Sequence, residues 1–124
     1  MANNNRDKCI LIYEDDPEIL LLCKTILLKN QYRVETLVRC KNAINDIKEL
    51  NPDIVLMDLW IPEIGGERAV ALIKANPATA SIPTLLFSAS SDIREICEKI
   101  GADGYIQKPF DIHTFIETIE KCIR

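Results

Sequence analysis

Short apolar, β-prone runs alternate along this chain with stretches of helical periodicity, and few folds accept that pattern. Residues 54–58 (IVLMD) are the plainest run, bounded by Pro52-Asp53 on one side and Pro62 on the other. A run of this length between turn residues reads as a strand buried on both faces. Residues 8–13 (KCILIY), stopped by Glu14-Asp15-Asp16-Pro17, read the same way. Strands of this kind joined by helices form right-handed crossovers, and so a parallel sheet with helices on both faces.

The full alternation is five strands and five helices. After the first strand, Asp16 caps a helix over 17–30 with Pro17 in its first turn. Ile19, Leu20, Leu22, Cys23, Ile26 and Leu27 form its core arc, while Leu21 and Leu28 fall outside as ordinary exposed leucines or part of a partner surface. A strand over 33–38 and a helix over 41–50 follow, then the strand at 54–58 and a helix over 67–75 with Ala69, Leu72 and Ile73 inward. A strand over 84–87 runs into Ser88-Ala89-Ser90-Ser91. The next helix starts near Asp92, which forms a capping-box-like pair with Glu95, and ends at Gly101. A strand over 104–107 leads into Lys108-Pro109-Phe110, and Asp111 caps a last helix with Ile112, Phe115, Ile116, Ile119 and Ile123 inward.

At 124 residues the chain is expected to be one domain over 8–124, behind a polar, asparagine-rich and disordered tail over 1–7. That tail has no apolar core, so it does not read as a signal peptide. A net charge of −4 argues against direct nucleic-acid binding, which needs a basic face. No apolar run approaches a membrane span. Cys9, Cys23, Cys40, Cys97 and Cys122 form no CxxC pair and read as small buried hydrophobes, fitting a reducing cytoplasm.

In a parallel sheet the residues following each strand share one edge, where open α/β sheets bind ligands. Here that edge receives Glu14, Asp15 and Asp16 from the first strand, Asp58 from the third, Ser88 from the fourth and Lys108 from the fifth. Singly, Asp16 reads as a cap, Ser88 as a loop serine and Lys108 as a solvated lysine. Together they crowd carboxylates that repel one another until a cation relieves them. All-oxygen donors favour Mg²⁺. Lys108 and Ser88 supply charge and a donor for phosphoryl oxygens, leaving Asp58 as the nucleophile of an aspartyl phosphate.

These residues resemble the receiver domain of two-component response regulators. The resemblance rests on the acidic pair Glu14-Asp15, on Asp58 with Pro62 and glycines beyond, on Ser88-Ala89 thirty residues after Asp58, and on Lys108-Pro109-Phe110. It implies a flavodoxin-like (βα)5 fold with strand order 2-1-3-4-5. Asp58 would accept a phosphoryl group from a phosphohistidine of a sensor kinase or histidine phosphotransfer protein. Glu14, Asp15, Asp58 and the Trp60 backbone carbonyl would hold Mg²⁺, and Lys108, followed by a cis bond to Pro109, would pair with the phosphoryl group. Ser88 and Tyr105 would switch the face of helix four, strand five and helix five toward a downstream protein partner, a face through which a homodimer can also form. Such a receiver is no turnover enzyme.

Two features depart from the commonest pattern. Glu14 stands where an Asp is usual, and the bulky Trp60 lies two residues after Asp58, where it is expected to shield the phosphoryl group and slow its loss. A Mg²⁺-dependent phosphohydrolase on a similar sheet is the alternative, but it would need a second acid where Trp60 stands. A receiver fold kept only for binding would not need Asp58, Asp15, Ser88 and Lys108 together. No output domain follows the last helix, so action through protein contacts is expected, whether the receiver stands alone or is part of a longer protein.

Overall fold

The computed structural model describes residues 7–123, so most of the expected N-terminal tail lies outside the described residues. The elements are β1 (Cys9–Tyr13), α1 (Pro17–Lys29), β2 (Arg33–Leu37), α2 (Ala43–Leu50), β3 (Ile54–Asp58), α3 (Gly66–Ala75), β4 (Thr84–Ser88), α4 (Ile93–Ile100), β5 (Gly104–Gln107) and α5 (Ile112–Cys122). The sheet is parallel, in the order β2-β1-β3-β4-β5 expected of a flavodoxin-like fold.

Strands β1, β3 and β4 are buried at every residue, because helices cover both of their faces. Successive side chains point to opposite faces, which divides the core in two. Leu11, Tyr13, Val55, Met57 and Leu86 pack with Ile47, Val70, Ile73 and Ile93 of α2, α3 and α4. Ile10, Ile12, Ile54, Leu56, Leu85 and Phe87 pack with Cys23, Leu27, Phe115 and Ile119 of α1 and α5. Carboxylates pin the strand starts: Asp53 accepts from the Cys9 N–H at 2.7 Å and Asp103 from the Thr84 N–H at 2.8 Å. Four of the cysteines are buried thiols, as expected, and Cys122 is half-buried.

Asp16 and Asp111 cap α1 and α5 as read from the sequence. Asp92 does not cap α4 with its side chain. Its backbone already lies near the helical region (φ −91°, ψ 7°), so the carboxylate cannot turn back on the first turn. Instead the Ser90 hydroxyl accepts from the Asp92 N–H.

Three apolar residues expected inward are exposed: Leu22, Leu72 and Ile112. In α3 the buried stripe is Gly66, Ala69, Val70 and Ile73, which leaves Leu72 on the flank. In α1 the fully buried residues narrow to Cys23, Ile26 and Leu27. Ile112 opens α5 one turn before Phe115, the first buried residue of that helix. Leu21 and Leu28 are exposed, as their positions on the wheel predict.

Candidate functional site

Sheet register assembles the site. Tyr13 pairs with Met57, so Glu14 emerges beside Asp58, the last residue of β3. Asp58 pairs with Phe87, which places Ser88 at the next strand end. Lys108 follows β5, and its N–H donates to the Ser88 carbonyl at 2.9 Å. The peptide bond from Lys108 to Pro109 is cis.

Glu14 and Asp58 are buried, while Asp15 is exposed. One carboxylate oxygen from each of the three lies within 4.8 Å of the others. Burial first, and the Glu14 charge second, push the Asp58 carboxyl up from 3.8 to about 6, against the opposing pull of Lys108 and the Trp60 N–H. At neutral pH Asp58 is therefore mostly ionised, but at a cost that a cation would relieve. The donor set is all hard oxygen, which fits a small divalent ion and lacks the nitrogen and sulfur ligands of a transition-metal site.

Lys108 is divided between two acids. Its Nζ lies 2.7 Å from Glu14 Oε1 and 3.5 Å from Asp58 Oδ1. The other Glu14 oxygen accepts from the Asp16 N–H at 3.0 Å. Glu14, read from the sequence as a departure, thus meets the lysine with one oxygen while standing in the acidic group. Beneath the ammonium lies the Phe87 ring, 4.5 Å from Nζ to centroid. Phe87 had shown only as an apolar strand residue; its place one position before Ser88 was the available signal.

The remaining expected residues occupy varied positions. The Ser88 hydroxyl, buried, accepts from the Ser90 N–H at 3.1 Å. The Trp60 N–H donates to Asp58 Oδ1 at 3.4 Å, but the residue is 74% exposed. Trp60 therefore stands largely in solvent at the rim of the acidic group. Tyr105 is exposed on β5. Gly66 matters more than its loop setting implied: a Cβ there would lie 2.3 Å from the Asp58 carbonyl oxygen. Only glycine lets the start of α3 approach the Asp58 backbone this closely.

A sequence profile of the response regulator receiver domain matches residues 10–120. The chain belongs to the receiver domain family of response regulators. As a receiver domain, it is a component of two-component signalling rather than a turnover enzyme. It is 34% identical over 119 residues to the chemotaxis protein CheY of Bacillus subtilis, covering 92% of this chain and 96% of that protein. It is 30% identical over 123 residues to the DNA-binding dual master transcriptional regulator RpaA of Synechocystis, covering 93% of this chain and 48% of that protein. The receiver thus spans about half the length of RpaA and of several other transcriptional regulators it matches. Among solved structures, the receiver domain of a sensor histidine kinase from Pseudomonas aeruginosa superposes with a TM-score of 0.78 at 25% identity, over 93% of this chain and 96% of that one. That structure holds a magnesium ion in its active-site cleft.

Proposed function

We propose that this receiver carries an aspartyl phosphate on Asp58, taken from a phosphohistidine of a sensor kinase or histidine phosphotransfer protein, with Mg²⁺ as cofactor. The observation that carries the reading is the convergence of Glu14, Asp15, Asp58 and Lys108 at one sheet edge. The magnesium ion in the related kinase receiver supports the same metal here.

Glu14, Asp15, Asp58 and the Trp60 carbonyl would hold the ion, which supplies charge neutralisation for phosphoryl oxygens. Asp58 provides the nucleophilic oxygen: a P–O bond forms as the P–N bond to the donor imidazole breaks. Lys108 neutralises the oxygens of the arriving group from the side of β5. The buried setting of Asp58 limits attack by water, and Ser90 offers no charge to position one, so loss of the phosphoryl group is slow.

Phosphorylation adds charge and strong acceptors at Asp58. Ser88 then exchanges its bond from the Ser90 N–H for a bond to the phosphoryl group, and Tyr105 turns inward from its exposed position. The α4–β5–α5 face changes with them and selects a downstream protein partner by population shift. The exposed Leu21 and Leu28 of α1 offer apolar contact area as part of a partner surface. No described helix is long and apolar enough to cross a membrane, and the free thiols fit a cytoplasmic setting.

Incubation with acetyl phosphate and Mg²⁺, followed by intact-mass measurement, tests the reading. A lasting phosphoryl adduct that is absent in Asp58→Asn supports it. Phosphate release without an adduct assigns a hydrolase instead, and neither outcome leaves a binding module.

A further inference from the structure

Three facts about Lys108 call for a common cause. Its side chain is 16% exposed, its ammonium is shared between Glu14 and Asp58, and its four-carbon stem is intrinsically flexible. Two carboxylates by themselves do not fix such a stem, because either can hold the ammonium alone. The ammonium also lies over the Phe87 ring, 4.5 Å from Nζ to centroid. That distance is within the range at which a cation is attracted to the negative face of an aromatic ring.

The ring is itself clamped. Phe87 packs against Phe110 at 5.5 Å and Phe115 at 6.3 Å, and Phe110 stacks on Phe115 at 4.7 Å. All three phenylalanines of the chain thus form one cluster under the lysine. One ring comes from β4, one from the loop that carries Lys108, and one from α5. An aliphatic residue at position 87 would have no negative face to offer an ammonium. Phe87 and Ser88 are adjacent on β4 and point to opposite faces, so one strand carries both the lysine's platform and the switch hydroxyl.

We propose that Phe87 is a positioning residue of the phosphoryl site, its ring face holding the Lys108 ammonium where a phosphoryl group on Asp58 arrives. The inference rests on the reading of Asp58 as phosphoacceptor and adds to it a residue outside the polar cluster. Phe87 acts through Lys108 and touches no reacting atom.

Fluorinated phenylalanines placed at position 87 weaken the ring's negative face with little change in shape. The rate of Asp58 phosphorylation by acetyl phosphate with Mg²⁺ should fall stepwise along the series, by about three- to tenfold at pentafluorophenylalanine. The unfolding midpoint should stay nearly constant, and the same series at Phe115 should leave the rate flat. The ¹⁵N resonance of the Lys108 ammonium, read without any phosphoryl donor, should move along the position-87 series alone. A flat rate at position 87, or an equal fall at Phe115, overturns the inference while an adduct on Asp58 keeps the proposed function. If the unsubstituted chain forms no adduct, the proposed function fails. The ammonium resonance then decides the platform by itself, and an unmoved resonance overturns it.

Discussion

Lys108 Nζ sits 2.7 Å from Glu14 Oε1 but 3.5 Å from Asp58 Oδ1, so the lysine is held first by the acid after β1 and only second by the acid that ends β3. Glu14 is almost wholly buried and has no second cation among the ion pairs of the described residues. Removing the lysine therefore strands a buried charge. Lys108→Ala should lose about 3 kcal/mol of stability in metal-free buffer at neutral pH, measured by urea unfolding. Glu14→Gln combined with Lys108→Ala should recover part of that loss. A double variant no more stable than Lys108→Ala would show that the pair is not what the lysine supports.

Asp58 titrates at about 6 rather than 3.8, so the folded state holds this proton more tightly than the unfolded chain does. The resulting stabilisation is present in full below about pH 4 and is lost as pH rises through about 6. A shift of this size corresponds to about 3 kcal/mol at most. Asp58→Asn, which cannot ionise, should exceed the parent protein in stability at pH 7 by up to that amount, and the two should converge near pH 4. Denaturant midpoints at the two pH values in chelator check this; an equal gap at both would remove the electrostatic explanation.

Magnesium should stabilise the folded chain, because the acidic group exists only when β1 and β3 are paired. At about a hundred times its dissociation constant, a ligand specific for the folded state adds about 2.7 kcal/mol. The gain should shrink in Asp15→Asn and in Asp58→Asn. Thermal unfolding with and without chelator reads it, and an undiminished gain in both variants would place the ion elsewhere.

Gly66→Ala should destabilise by about 1–3 kcal/mol, the usual cost of overpacking. The added methyl would meet the Asp58 carbonyl oxygen at 2.3 Å and the Leu59 Cα at 2.7 Å, both backbone atoms that cannot swing aside. Phosphorylation by acetyl phosphate should slow with it. By contrast Gly65→Ala meets no neighbour, and its cost is only that of a positive φ of 80°. Urea titration of the two variants separates contact from backbone strain.

The order of elements and the meeting of the candidate residues at one sheet edge were readable in the residues themselves. A parallel sheet carries every strand end to one edge, so Glu14, Asp15, Asp58, Ser88 and Lys108 had to meet there once the strands were recognised. The caps at Asp16 and Asp111 were equally local, since each needs only the next turn of chain. Tertiary packing decided what each side chain does on arrival. Lys108 and Glu14 lie 94 residues apart, and no local rule says which of two acids an ammonium prefers. The Phe87 platform depends on rings from β4, α5 and the loop between β5 and α5, and the exposure of Trp60, Leu22 and Ile112 depends on where neighbouring elements end. Periodicity assigns a residue to a face, but contact is set by distances of a few ångströms that exist only after the sheet and helices have closed on one another.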